Sequence, residues 1–317
     1  MRGPWGRPTL LLAATALTCT GEVDRLVGVL EPVRVQSATF REGDLPTAAE
    51  GPTITSIESA SGILLTGQLG RTLGGRARED AHAVALRLAD RGSGWWIVPI
   101  QDLDPMFPGE RDFQLRYDVG VAPPGPQTLR LAAIDREGRR GPVFDLDVCV
   151  RSDAFPDDLN GCDPKLPPPA AVVVLAWDRP VDIDLVVDTP DGERIAWKTP
   201  TSAASDGGAV PGEALADPRT GRLTRDSNAG CEIDGRNVEV IVWKEPPIAG
   251  PYLVYADLYD PCGEAASLFV ATAYRRELRD DGTYRLVELD RSAGALLDLQ
   301  ASGGAGAPLF VMDLDLP

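Results

Sequence analysis

The sequence predicts an all-β protein that folds as two β-sandwich domains behind a signal peptide and a tether. Glycine and proline, 33 and 28 of the 317 residues, exceed their usual combined share of about 12% and favour short strands over long helices. Short stretches that alternate apolar and polar residues recur between turn signals along most of the chain. A chain of this length also exceeds the usual single domain, so two cores are expected.

Charge and histidine content exclude several classes of protein. The 31 basic and 48 acidic residues give a net charge of −17, which repels phosphate backbones and anionic headgroups, so we expect no nucleic-acid partner. His82 is the only histidine and lies at the lead-in to a strand, which disfavours a Ser/His/Asp or Cys/His site. C-x-x-C pairs and phosphate-binding glycine loops are also missing. The sequence therefore predicts no enzyme.

The N-terminus has the anatomy of a signal peptide over residues 1–18. Arg2 and Arg7 precede the apolar run LLLAATAL, which is too short to span a bilayer. Cys19 follows residues 1–18 directly, and the segment resembles a bacterial lipoprotein signal. That family prefers Leu at the position of Ala16 and Gly or Ala at the position of Thr18. The resemblance implies acylation of Cys19 and anchoring at the outer membrane or cell surface. The alternative is cleavage after Ala16 and simple secretion, and either route exports the protein.

The first domain is expected at residues 52–150, after a tether at 19–51 that contains one short strand at 34–40. Seven alternating segments, the clearest of them FQLRYDV, fit a sandwich. The stretch PPGPQTLRLAAIDREGRRGP resembles the late strands of bacterial immunoglobulin-like modules, which implies an immunoglobulin-like domain. Trp95 and Trp96 could form a carbohydrate-stacking pair, but neighbours on a strand point to opposite faces, so at least one should be core.

A proline-rich linker is expected at residues 151–170, with the second domain at 171–317. The predicted strands of this domain lie at 171–177, 181–188, 194–198, 238–243, 252–259, 267–274, 283–290 and 308–314.

The stretch VVVLAWDRPVDIDLVVDTPDG carries the densest acidic pattern of the chain. Strand alternation puts Asp182, Asp184 and Asp188 on the face opposite Ile183 and its apolar neighbours. Residues two apart on a strand lie roughly 6 to 7 Å from one another, so these carboxylates need water, an arginine or a cation to offset their charge.

Three ordered blocks over Leu175–Gly263 are similar to an uncharacterised domain of secreted and surface bacterial proteins. The blocks are LAWDRPVDIDLVVDTPDGERIAW, GRLTRDSNAGC and PPIAGPYLVYADLYDPCG. The resemblance implies a small sandwich, jelly-roll-like or related, without an established enzymatic role. Thr224 stands where the family has an aspartate, which removes one acidic position.

A calcium site is the functional interpretation of the acidic pattern. Its candidate ligands, together with backbone carbonyls, are Asp182, Asp184, Asp188, Asp226 and Asn228. Calcium takes six to eight oxygens in irregular geometry, whereas an EF-hand is excluded because its glycine and terminal glutamate are absent. The alternative is a solvated acidic face paired with Arg194, Arg222 or Arg225. No other cofactor is expected.

Four cysteines are expected to form two disulfides, Cys149–Cys162 and Cys231–Cys262, in an oxidising compartment. Of three pairings, this one follows from Cys149, which lies out of phase with the apolar residues of FDLDVCV and so faces away from the core. It can then reach Cys162 in the linker. Buried reduced thiols are the alternative.

Together these features predict a non-enzymatic, envelope-anchored structural or binding lipoprotein with calcium as a candidate stabilising ion. Its partner would be a protein or glycan at the cell envelope, and its lipid would contact the membrane. The alternative is an accessory adhesion or carbohydrate-binding protein, for which Trp197, Trp243 or Tyr259 would form an exposed platform. A secreted hydrolase with paired carboxylates ranks third.

Overall fold

The computed structural model describes residues 31–59, 61–100, 102–103, 105–153, 155, 159–203 and 217–316. Strands dominate this part of the chain, and no α-helix occurs in it. The all-β prediction is therefore confirmed. No helix in the described ranges is long and apolar enough to cross a membrane. The signal peptide and Cys19 lie outside the described residues, so lipidation stays a prediction.

Ten strands of the first half form two sheets. They are β1 Val33–Val35, β2 Thr39–Glu42, β3 Ile54–Ser59, β4 Ile63–Leu65, β5 Arg71–Arg78, β6 Ala83–Leu88, β7 Gly94–Pro99, β8 Glu110–Val119, β9 Gly125–Ile134 and β10 Arg140–Arg151. One sheet has the order β1-β8-β5-β3 and the other β2-β7-β6-β9-β10-β4. Inward-facing residues such as Leu115, Tyr117, Leu86 and Leu131 form one buried cluster between them, which makes the first half a sandwich.

Both neighbouring tryptophans of β7 are buried. Trp96 packs in the sandwich core and its indole Nε1–H donates to the carbonyl of Val33 at 2.7 Å. Trp95 points to the other face of the strand and packs against Leu45 and Ala85. The carbohydrate-stacking interpretation of this pair is wrong because neither ring is available to a ligand.

Residues 33–42 are part of the sandwich instead of a tether. β1 pairs with β8 and β2 pairs with β7, both antiparallel. The physical reason is apolar burial, since Val33 and Val35 are each 2% exposed. The remaining domain boundaries stay predictions.

β5 was not predicted because Gly74, Gly75 and three arginines interrupt its apolar pattern. Gly75 is required by a close approach, since a Cβ there would lie 2.3 Å from the carbonyl oxygen of Ser56. A close backbone contact of this kind requires glycine. Glycine lacks the apolar side chain by which a strand is predicted from sequence, so the signal for β5 is weak.

Nine strands in the described part of the second half form two further sheets. They are β11 Ala171–Trp177, β12 Asp182–Asp188, β13 Arg194–Ile195, β14 Arg222–Leu223, β15 Val238–Trp243, β16 Gly250–Asp260, β17 Ala266–Leu278, β18 Tyr284–Leu297 and β19 Leu309–Leu316. The five-stranded sheet has the order β14-β15-β11-β17-β18, and the four-stranded sheet has the order β13-β12-β16-β19.

The core of the second half lies between these two sheets. It contains Ile183, Leu185, Val254 and Trp243, the last only 1% exposed, so Trp243 cannot belong to an exposed platform. Every residue of β11 is buried. The second face of β11 packs in another cluster with Phe155 and Leu159 of the predicted linker.

The linker and the two halves are fixed to one another by named contacts. Cys149 of β10 forms the predicted disulfide with Cys162, with their Cα atoms 5.6 Å apart. Arg91 of the first half donates to the carbonyl of Leu286, and its guanidinium lies 4.7 Å from the ring centre of Tyr274. Residues 151–170 therefore include packed structure and are not merely a spacer.

Candidate metal centre

The candidate metal centre lies where the edge of β12 has no described strand beside it. β13 pairs only with Val187 and Asp188, so the first part of β12 is not covered on that side by another described strand. Glu239 of β15, in the facing sheet, reaches across this gap, and its Oε2 accepts the backbone N–H of Leu185 at 2.7 Å. The other oxygen accepts the N–H of Ser227 at 3.1 Å. A buried carboxyl group thus joins the two sheets and the loop that follows β14.

Three of the five predicted ligands come together at this gap. Carboxylate oxygens of Asp182, Asp184 and Asp226 lie within 4.8 Å of one another. Strand alternation puts the first two on one face of β12, as predicted, and the loop after β14 brings Asp226 to them. Asp182 and Asp184 are each only 2% exposed, whereas Asp226 is exposed and marks the open side of the cluster.

The two buried aspartates lack the partners that buried carboxylates normally have. Asp182 Oδ2 accepts the N–H of Gly230 at 2.6 Å. Asp182 Oδ1 and Asp184 Oδ2 are buried without a hydrogen-bond partner among the described residues. No described arginine or lysine lies within ion-pair distance of the three aspartates. An unpaired buried charge costs several kcal/mol, so the site must hold either protons or a cation.

Burial raises the pKa of every carboxyl group in the cluster. It raises the pKa of Asp182 to about 6 despite the hydrogen bond from Gly230, and nearby acidic groups add to the effect. Burial and the charges of Asp182 and Asp226 raise the pKa of Asp184 to about 8. Burial also raises the pKa of Glu239 well above its usual value, and partial loss of solvent around the Asp226 carboxyl raises its pKa although the residue as a whole is exposed. A bound cation would reverse these shifts, because its charge stabilises the ionised carboxylates.

Glu239 adds a further buried acidic group next to the cluster, since Asp184 and Asp226 contribute to raising its pKa. Each of its oxygens accepts a backbone N–H, so the side chain is oriented as a carboxylate acceptor. Such outer groups orient the ligands of metal sites and tune their charge. The sequence interpretation missed Glu239, although a lone charged residue inside the apolar run VEVIVW, every residue of which is buried, is a usable signal.

Asp188 does not belong to the site. It lies four residues from Asp184, about 13 Å along the strand, and pairs with Arg194 through bonds of 2.6 and 2.8 Å. Its charge is therefore satisfied locally at the surface.

Asn228 is also not a ligand, because its amide is used to build the loop. Its Nδ2 donates to the carbonyl of Val181 and to Asn237 Oδ1, both at 2.9 Å, and its Oδ1 accepts the N–H of Asp234. Arg225 contacts Asp234 and not the cluster. The prediction of a solvated acidic face is wrong for Asp182 and Asp184, which are buried.

A disulfide fixes the loop that carries Asp226. Cys231 ends the short 3-10 helix Ala229–Cys231 and bonds to Cys262, as predicted, with Cα atoms 5.6 Å apart. Asn228, Gly230 and Cys231 all have positive φ values near 60°. This turn aims the N–H of Gly230 at Asp182. Disulfides of this kind persist in oxidising compartments, in accord with export.

Two aromatic rings meet at the part of β16 that pairs with Asp182 and Asp184. Trp197 and Tyr259 are both half-buried and meet edge to face with ring centres 5.6 Å apart. Lys198 Nζ lies 4.8 Å from the centre of the Trp197 ring. Two of the three aromatic residues proposed for a platform are thus together, and the third, Trp243, is in the core.

Comparisons with known proteins assign no family. No family model matches the chain, and no curated protein matches it. Fibronectin(III)-like modules of Clostridium thermocellum CbhA match with 12% identity over 81% of this chain and 97% of theirs, at a TM-score of 0.19. The E. coli chaperone DraB matches with 12% identity over 74% of this chain and 96% of its own, at 0.17. Scores this low carry no argument about function.

Proposed function

We propose that the chain is an exported, non-enzymatic binding or structural protein whose second half is stabilised by one calcium ion. Asp182, Asp184 and Asp226 would hold the ion, with Glu239 behind them. One observation carries the proposal: two carboxylates, each 2% exposed, come within 4.8 Å of each other, and each has an oxygen without a hydrogen-bond partner. A divalent cation there would offset charges that the described side chains leave unbalanced.

The donor set favours calcium over other metals. The three carboxylates offer only oxygen atoms, which suit hard cations. Two of them come from a strand and one from an irregular loop, and calcium tolerates such geometry better than magnesium does. Zinc is disfavoured, since the nearby Cys231 and Cys262 are bonded to each other and offer no thiolate.

A binding or structural role agrees with the placement of the acidic groups. A glycoside hydrolase needs two carboxyl groups that flank a substrate in a cleft. Asp182 and Asp184 are instead buried beneath the disulfide-bonded loop. Export through the signal peptide and anchoring through Cys19 are part of the same proposal, and both disulfides support an oxidising location.

Thermal unfolding with and without calcium tests the ion site. At a hundredfold excess of calcium over its Kd, linkage stabilises the protein by about 2.7 kcal/mol, or roughly 5 to 10 °C in Tm. We expect this increase after the protein is first stripped with a chelator. Asp184→Asn should remove it, whereas Asp188→Asn, on the same face of the same strand, should leave it unchanged. Equal melting temperatures of the wild type with chelator and with millimolar calcium would refute the site.

A further inference from the structure

The proposed calcium ion would have open coordination positions on its solvent side. Calcium takes six to eight oxygens, and the site offers three carboxylates, one of which already accepts the N–H of Gly230 through Oδ2. Asp182 and Asp184 close the buried side, and the exposed Asp226 marks the other. Water or the oxygens of a ligand can therefore complete the coordination sphere on the side that Asp226 marks.

The aromatic pair lies at the part of β16 that pairs with Asp182 and Asp184. Asp257 of β16 lies directly opposite Asp184 in the sheet. Tyr259 is two residues further along β16, at an irregularity in the β12–β16 register, and like Asp257 it lies outside the apolar core that contains Leu258. Trp197 packs against Tyr259, and Lys198 covers part of the Trp197 ring and lies 3.5 Å from the carbonyl of Gly304. An apolar ring surface is thus placed beside acceptors, an ammonium donor and the proposed cation.

We propose that the calcium ion and the Trp197–Tyr259 pair form one binding site for a neutral saccharide. Neighbouring hydroxyl groups of the sugar occupy open calcium positions, and its C–H face packs on the aromatic rings. Asp257 and Lys198 then accept and donate hydrogen bonds to further hydroxyls. This inference rests on the proposed calcium site.

Charge selects a neutral ligand over an anionic one. The chain carries a net charge of −17, and Asp257 lies two residues from Tyr259 on β16, so a polyanionic glycan would be repelled. A neutral polyol suits this surface because its hydroxyl groups donate hydrogen bonds to carboxylates, and this interaction does not require a positive charge on the ligand. A cationic protein segment is the rival occupant, and it would neither need calcium nor be displaced by a sugar.

Affinity electrophoresis of the full exported chain tests the inference. Native gels are cast with β-glucan, xylan, mannan or starch and run with calcium or with chelator. We expect at least one polysaccharide to retard the protein in calcium and not in chelator. Trp197→Ala should weaken the retardation roughly tenfold, the loss expected for one aromatic contact.

Phe310→Ala provides the matched control. Phe310 is 53% exposed and packs against Tyr255 on the same sheet face. Tyr255 lies four residues, about 13 Å, from Tyr259, so this variant should bind as the wild type does. The calcium-induced rise in Tm is measured on Trp197→Ala to show that the variant folds, and the chelator comparison on the wild type needs no variant.

The outcomes separate the two proposals. Retardation by none of the four polysaccharides, in protein that calcium still stabilises, overturns the saccharide site and leaves the calcium site standing. Retardation that persists in chelator and in Trp197→Ala also overturns it. Absence of any calcium effect on Tm overturns both.

Discussion

At the scale of single residues, the chemistry of the second half is set by where Asp182, Asp184 and Glu239 are buried. Each would be an ordinary exposed acid elsewhere, but here burial removes the water that stabilises the ionised form. The raised pKa values of these three groups reflect the free-energy cost of ionising them without that water. A cation would reverse it, because metal ions bind the deprotonated groups and displace protons.

Stability in chelator should therefore fall as the pH rises. The folded pKa values of Asp182 and Asp184, about 6 and about 8, exceed the ordinary 3.8. Below about pH 4 both groups are protonated in the folded and the unfolded state. As the pH rises the unfolded chain releases its protons first, so stability is lost through both folded pKa values. Melting curves in chelator from about pH 5 to about pH 9 should show this decline.

Calcium should oppose this decline. Because calcium binds the ionised carboxylates, its stabilising effect should increase with pH over the same range. Asp184→Asn should flatten the decline measured in chelator, which separates this group from others that titrate there. A calcium increment of equal size at both ends of the range would contradict the account.

Residue-level prediction from the sequence succeeded where strand alternation decides the result. Alternation correctly placed Asp182 and Asp184 on one face, and Asp226 was correctly grouped with them. It could not show that Asp188 pairs with Arg194 or that the Asn228 amide is used within its loop, because both depend on local geometry. Glu239 was missed because its partners, Leu185 and Ser227, are 54 and 12 residues away.

At the scale of elements, β12 and the loop after β14 form the site together, and the loop is fixed by Cys231–Cys262. Most strands were predictable because their apolar residues alternate or run together, as in β8 and β11. β5 was missed because it needs Gly75 for a close backbone contact. Residues 33–42 were assigned to a tether with one short strand because Pro32 and Gly43 flank them and they lack a clean apolar period. The order of the strands within each sheet depends on contacts between residues distant in sequence, so local sequence does not predict it.

Removing the Cys231–Cys262 disulfide should weaken both stability and calcium affinity. The bond closes a loop with a sequence separation of 31, which contributes about 3.7 kcal/mol in the chain-entropy model. A double Cys→Ser variant should unfold more easily, and the calcium concentration for half-maximal stabilisation should rise.

The double Cys→Ser variant of Cys149–Cys162 serves as the control. Its separation of 13 predicts a loss of about 3 kcal/mol, but the bond lies outside the site, so calcium affinity should be unchanged. Equal effects of the two variants on calcium affinity would refute a specific role for the loop.

At the scale of the whole molecule, the two halves contact each other through a buried arginine. Arg91 is 4% exposed, lies against Tyr274 and donates to Leu286. We expect Arg91→Ala and Tyr274→Leu to show a coupling of about 1 kcal/mol in a double-mutant cycle of unfolding free energies. Trp243 packs in the core between the two sheets of the second half. Arg91→Ala combined with a substitution of Trp243 should show no coupling of unfolding free energies. Additive effects of Arg91→Ala and Tyr274→Leu would rule out this contact between the halves.

Equilibrium dialysis of the full exported chain against calcium tests the central claim most directly. The account predicts one calcium ion bound per wild-type chain, none in Asp184→Asn, and one in Asp188→Asn. The two variants remove one carboxylate each from the same strand face, so net charge and strand composition are matched between them. Binding that Asp184→Asn leaves intact, or the absence of bound calcium in the wild type, would contradict the account.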